Sequence, residues 1–205
     1  PTPAATGLPF AGVTVNLEAY TAAERPAALA ALAEAGFGFV RQRFDWGQIE
    51  PQPGMYAWET ADAWIEAITA ASLTPLVVLD GSPAWARAEQ DRAPTDNPLA
   101  PPADPADLAR FAGAFAARYG DRVRFYQVWD EPNIAPHWGN RLIEPVAYAQ
   151  LLEAAAAAIR ATLLAGSRTK DPTTHRSLFA FRLHQFISKG GSAYATAESV
   201  DHRTS

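Results

Sequence analysis

The chain has 205 residues, 48% of them apolar, a net charge of −5 and no cysteine. That is enough for one sizeable domain with a real core. The acidic balance argues against a nucleic-acid partner, and the missing cysteines exclude a disulfide framework and thiolate metal sites. No apolar run approaches the roughly 20 residues of a membrane span, so no membrane insertion is expected.

Residues 1–9, PTPAATGLP, read as a linker or N-terminal extension. They are either the remainder after a removed signal or anchor, or an arbitrary boundary. AGVTV (11–15) is a short β-branched run. Thr21 with Glu24 three residues on predicts a capping box. Leu29, Leu32 and Ala33 give the helix that follows one apolar face, and Gly36 ends it. FGFVRQRF (37–44) is a second strand. Trp58, Ala61, Ile65 and Ile68 recur at helical spacing. TPLVVLD (74–80) is a third strand, followed by a loop rich in Pro and Asp. Asp104, Pro105 and Asp107 mark a strong helix start, with Leu108, Phe111, Phe115 and Tyr119 on one face. Residues 123–129 form a fourth strand, and Pro145 opens a helix whose core face carries Tyr148, Leu151, Leu152, Ala155 and Ile159. TLLAG (162–166) is read as a very short fifth strand.

Strand and helix alternate four times, which predicts a parallel sheet with helices packed on it. The candidate folds are a (β/α)8 barrel and a doubly wound sheet. No GxGxxG or P-loop follows the first strand, which weakens the nucleotide-binding version.

Composition changes near residue 167. Both lysines (Lys170, Lys189), six of the eight serines and three of the four histidines (His175, His184, His202) lie after it. Residues 1–166 hold 11 Arg against 19 acids, and 167–205 hold six basic residues against three acids. So 10–166 is read as the folded unit and 167–205 as an atypical tail, either a C-terminal extension or a segment not homologous to what precedes it. Residues 178–187 fit a helix or a strand equally. The three tail histidines lack ligand spacing, so no metal is expected, and no cofactor motif is present.

Parallel α/β folds place their sites at the C-terminal strand ends. There stand Asn16 and Glu18; Arg43, Asp45 and Trp46; Asp80, Ser82 and Trp85; then Asp130, Glu131 and Asn133, with His137 and Trp138 beyond. Indole faces stack on sugar rings, and carboxylates bond hydroxyls and perform acid/base chemistry. The set suits a carbohydrate. For Arg43 a simple ion pair with Asp45 or Asp80 is an equal reading, and packing under loops is the better reading for at least one of Trp46, Trp85 and Trp138.

WDEPN (129–133) resembles the W-N-E-P-N signature of clan A glycoside hydrolases, and RFDWGQIEPQPGMYAW (43–58) is similar to the corresponding segment of family 39 β-xylosidase-like retaining enzymes. The resemblance covers roughly residues 10 to 160. It implies a (β/α)8 barrel and a retaining two-carboxylate mechanism on oligo- or polysaccharides. Glu131 would be the acid/base, Arg43 the strand-two arginine that orients the nucleophile, and His137 and Trp138 rim residues; Trp46, Asp80, Trp85, Asp130 and Asn133 complete the expected substrate contacts. A polysaccharide substrate would place the reaction outside the cell; the residues themselves leave the compartment open.

Two departures stand out. The family's Asn before the acid/base is Asp130 here, which can accept but not donate an amide hydrogen bond. A complete barrel needs about 250 residues, whereas this chain offers four to five βα units, so the nucleophile strand is expected to be missing. Glu198 is the one tail glutamate, and nothing strand-like is expected to lead into it. The alternatives are a non-catalytic carbohydrate-binding remnant with Trp46, Trp85 and Trp138 as stacking platform, and a half-barrel that self-associates through its open edges.

Overall fold

A computed structural model describes residues 11–92, 97–139, 141–142, 144–168, 179–187 and 193–201. The tail residues outside these ranges, His175 and His202 among them, lie outside the description. Four parallel strands follow one another in sheet order: β1 (Gly12–Val15), β2 (Phe39–Asp45), β3 (Thr74–Asp80) and β4 (Phe125–Val128). Helix α1 (Arg25–Glu34) joins β1 to β2. A one-turn helix α2 (Trp46–Ile49) and then α3 (Glu59–Ala70) join β2 to β3. Helix α4 (Pro105–Tyr119) joins β3 to β4, and α5 (Pro145–Arg168) follows. This is the expected α/β barrel architecture, incomplete after its fourth strand.

Local signals act as read. Thr21 and Glu24 form a reciprocal capping box: the Thr21 amide donates to Glu24 Oε2 at 2.9 Å and the Glu24 amide to Thr21 Oγ1 at 3.3 Å. After α1 the chain turns at Gly36, whose φ of +89° suits a residue without Cβ. Asp104 caps α4 through the Ala106 amide, 2.8 Å away, with Pro105 in the first turn.

Two readings are corrected. TLLAG is not a strand but the last part of α5, a 24-residue helix. Its leucines and alanines continue the helical period that begins at Tyr148. The second concerns Glu198. It lies in strand β6 (Ala193–Asp201), which pairs with strand β5 (Phe179–Ile187) as an antiparallel hairpin. Strand β6 also lies beside β4, antiparallel, with Gln127 opposite Thr196. Of the segment 178–187, the described residues 179–187 thus take the extended option, because a hairpin partner satisfies their backbone groups.

Period two sorts the sheet into two faces. Val40, Phe44, Val77, Leu79, Tyr126 and Val128 face the helices. They join Leu29, Ile65, Ile68, Phe111, Phe115 and Ile159 in the main core. Phe44 and Phe115 meet edge to face at 5.3 Å, a favoured aromatic geometry. Each such side chain contributes roughly 1.5–3 kcal/mol by leaving water. The opposite, concave face has a small apolar floor of Phe39, Leu76, Val78 and Phe125. Above it, toward the strand C-termini, the same alternation places Arg41, Arg43, Asp45, Asp80 and Gln127. No helix among the described residues is long and apolar enough to cross a membrane.

Candidate active site

The register puts Asp45 opposite Asp80, and the Trp129 amide continues the ladder by donating to the Leu79 carbonyl at 2.9 Å. The ends of β2, β3 and β4 are therefore level, and their polar residues meet. Arg43 donates from Nε to Asp80 Oδ2 at 2.8 Å and from Nη2 to Asp45 Oδ2 at 3.2 Å. Asp80 is 1% exposed, and its other oxygen accepts the Gly81 amide at 2.6 Å. Burial raises the Asp80 pKa, with Arg43 pulling the other way. For Arg43 burial disfavours the charge, but Asp80, Asp45 and Asp130 outweigh it and raise the pKa. Gly81 has φ +76°, and a Cβ there would come within 3.0 Å of Arg43 Nη2 and 3.1 Å of Asp45 Oδ2. Glycine is required both by the backbone and by this close approach.

A second arginine, overlooked in the sequence reading, lies one step below on the same face. Arg41 Nη2 meets Asp130 Oδ1 at 2.5 Å, and its Nε donates to Gln127 Oε1 at 3.0 Å. Gln127 in turn donates from Nε2 to the Trp129 carbonyl at 2.9 Å and to Asp130 Oδ1 at 3.3 Å. Period two was the signal that could have found it, since Arg41, Arg43 and Asp45 share one face of β2.

The chain bends sharply where β4 ends. Trp129 has φ +67° and Glu131 has φ +46°, both left-handed and costly for residues with a Cβ. Unbroken alternation would place Trp129 on the concave face and Asp130 among the helices. The left-handed step reverses this. Trp129 enters the helix-side core, fully buried, with its indole edge to face with Trp138 at 6.0 Å. Its Nε1 donates to the His137 carbonyl at 2.7 Å. Asp130 then turns to Arg41 on the concave face, and Glu131 emerges at the rim with its side chain 40% exposed. Glu131 Oε2 lies 3.4 Å from His137 Nε2. Among the described residues no arginine stands within ion-pair distance of Glu131.

The structure gathers Arg43, Asp80, Asp130, Glu131 and His137 at one end of the sheet. Asn133 lies in the same loop, with its Oδ1 buried and without a partner among the described residues. The tryptophans are placed differently. Trp46 is fully buried, stacked on Phe111 at 5.6 Å, and donates to Glu50 Oε2 at 2.6 Å. Trp138 is 2% exposed. Both faces of a stacking platform are thus engaged in packing at these two positions. Trp85 is half-buried, edge to face with Trp46, and donates to the Glu50 carbonyl at 3.1 Å. Ser82 is buried, its amide donating to the Pro98 carbonyl at 2.8 Å. Asn16 caps the turn Leu17–Ala19 through the Glu18 amide. Among the described residues no group of three or more His, Asp or Glu side chains could hold a metal ion.

Comparison with known proteins gives structural neighbours only. No family model matches, and no curated protein does. A family 39 glycoside hydrolase from Bacteroides cellulosilyticus WH2 is similar with a TM-score of 0.57 at 21% identity, over 73% of this chain and 29% of that one. A family 39 β-xylosidase from Caulobacter crescentus is similar with a TM-score of 0.57 at 24% identity, over 74% and 37%. An exo-β-1,4-mannosidase from Opitutaceae bacterium strain TAV5 is similar with a TM-score of 0.57 at 20% identity, over 78% and 31%. The chain therefore has the barrel-type α/β fold of these glycoside hydrolases and spans about a third of their length.

Proposed function

We propose that the chain carries the acid/base half of a retaining glycoside hydrolase site that cleaves O-glycosidic bonds in oligo- or polysaccharides. One observation carries this reading. Of the four carboxylates at the ends of β2, β3 and β4, Asp45, Asp80 and Asp130 are each bound to an arginine, whereas Glu131 is half-buried at the rim and faces an imidazole. A carboxyl that must give and take a proton cannot be locked as an arginine's counter-ion. Likeness to glycoside hydrolases of the same fold supports the choice of substrate class.

Glu131 as acid gives its proton to the departing glycosidic oxygen as the C–O bond breaks, and as base takes one from the incoming water. A nucleophile belongs about 5–5.5 Å away in a retaining site. With Asp45, Asp80 and Asp130 committed to arginines, that carboxylate comes from a strand beyond β4. Arg43 and Asp80 form the floor beneath the sugar, and Asn133 and His137 line its rim. Asp130 is charge-compensated by Arg41, so it does not compete electrostatically with Glu131.

The test supplies the nucleophile externally. The chain is incubated with phenyl β-xyloside, β-glucoside and β-mannoside in the presence of azide. Azide attacks the anomeric carbon, and phenol leaves with the proton of Glu131. Phenol release that needs both azide and Glu131 is expected. Release that continues undiminished in Glu131→Gln would refute the assignment.

A further inference from the structure

We propose that His137 is a positioning residue for Glu131: it presents Nε2–H to Oε2, so that Oε1 is the oxygen carrying the mobile proton. The inference rests on Glu131 being the acid/base and deepens that reading.

The backbone that carries the ring is held at three points. The His137 amide donates to the Ile134 carbonyl at 2.8 Å. The His137 carbonyl accepts Trp129 Nε1 at 2.7 Å, and the preceding Pro136 carbonyl accepts Asn97 Nδ2 at 3.1 Å. Trp138, buried against Trp129, fixes the next residue. Held this way, the imidazole meets Glu131 Oε2 at 3.4 Å, a gap that a small rotation of the carboxylate closes to hydrogen-bond length.

The two edges of the ring together set the tautomer. His137 Nδ1 is buried and, among the described residues, has no hydrogen-bond partner. A carboxylate oxygen only accepts, so the nitrogen facing Oε2 is the one that donates, and Nδ1, which meets no acceptor among the described residues, is the one left bare. The neutral ring therefore keeps its proton on Nε2, the nitrogen facing the carboxylate. Other charged groups around the loop are committed elsewhere: Asp130 to Arg41, Asp45 and Asp80 to Arg43, and Asp91 to Arg141.

A carboxyl with one oxygen accepting from a fixed donor takes its proton on the other. In the acid step the Oε1–H bond breaks as the glycosidic C–O bond breaks, and the proton goes to the leaving oxygen. In the base step a water proton returns to Oε1. His137 keeps its own proton throughout.

The experiment is NMR on the isotopically labelled chain. Ring nitrogen shifts at alkaline pH, where an imidazole is neutral, report the tautomer. Side-chain scalar couplings report the Glu131 rotamer. Expected are the Nε2–H tautomer and a single Glu131 χ1 rotamer. His137→Phe keeps a planar ring but removes the donor, and it should leave the Glu131 couplings averaged; His137→Gln restores a donor and should restore one rotamer. An Nδ1–H tautomer, or couplings unchanged in His137→Phe, would overturn the proposal. If His137→Phe fails to fold, the tautomer of the unmodified chain still decides. A failed phenyl glycoside assay would sink the acid/base reading while leaving these NMR results as measured, so the two failures are distinguishable.

Discussion

Arg41 and Asp130 tie the middle of β2 to the turn that carries Glu131, and a double-mutant cycle measures that tie. Arg41→Met removes the guanidinium but keeps much of the stem. It leaves Asp130 with Gln127 Nε2 at 3.3 Å as its remaining side-chain donor and takes away the donor to Gln127 Oε1. The two side chains are 19% and 20% exposed, between the exposed and buried extremes. Exposed pairs contribute about 0.2–1 kcal/mol, and breaking a buried pair costs about 3–5 kcal/mol. Interpolation gives about 2 kcal/mol for Arg41→Met and somewhat less for Asp130→Asn, whose amide still accepts from Gln127. The double variant should lose about 1 kcal/mol less than the sum, because the second change removes a partner already lost. Urea unfolding of the four proteins supplies the numbers. Strict additivity, within about 0.3 kcal/mol, would refute the coupling and with it the compensation of Asp130.

Three further outcomes follow from the same geometry. Hydrogen bonds from Arg118 lower the Asp62 pKa, so Asp62 contributes stability that is present above its unfolded value and lost as pH falls through the depressed folded one. Burial of Asp80 acts oppositely, its contribution being present at acid pH and lost as pH rises through the raised value. Urea melts from about pH 3 to 7 should therefore show Arg118→Gln flattening the acid limb and Asp80→Asn flattening the limb above it. Trp46→Phe removes the indole donor from Glu50, which is fully buried, and should cost about 1–3 kcal/mol in unfolding free energy. Gly81→Ala forces a side chain into a left-handed backbone and against Arg43 and Asp45; it should cost at least about 1–2 kcal/mol, and a melt unchanged within error would contradict the role given to that turn.

Much of the fold was legible because its signals are local. The capping box at Thr21, the Asp104–Pro105 start and the apolar faces of α3 and α4 are each set within a turn or two. The alternation in FVRQRFD also marks two faces and yields Arg43 and Asp45; Arg41 shares their face, but its partner Asp130 reaches it only through the reversal at Trp129. TLLAG misled because a short apolar run fits either element, and only its continuity with α5 decides. The reversal at Trp129 was not legible. A positive φ at tryptophan is disfavoured, and it persists here because burying the indole against Trp138 and hydrogen-bonding its nitrogen to His137 require the tertiary fold. The hairpin of β5 and β6 depends on pairing between segments that neither pattern nor period had joined.

The central claim is that Glu131 is a general acid, and the dependence of its loss on the leaving group tests it most directly. Rates with azide are compared for phenyl and dinitrophenyl glycosides, in the unmodified chain and in Glu131→Gln. Phenol needs protonation to depart and dinitrophenol does not. The account predicts that Glu131→Gln slows the phenyl glycoside by about 10²–10⁴-fold and the dinitrophenyl glycoside far less. An equal loss on both, or none on the phenyl glycoside, would contradict it.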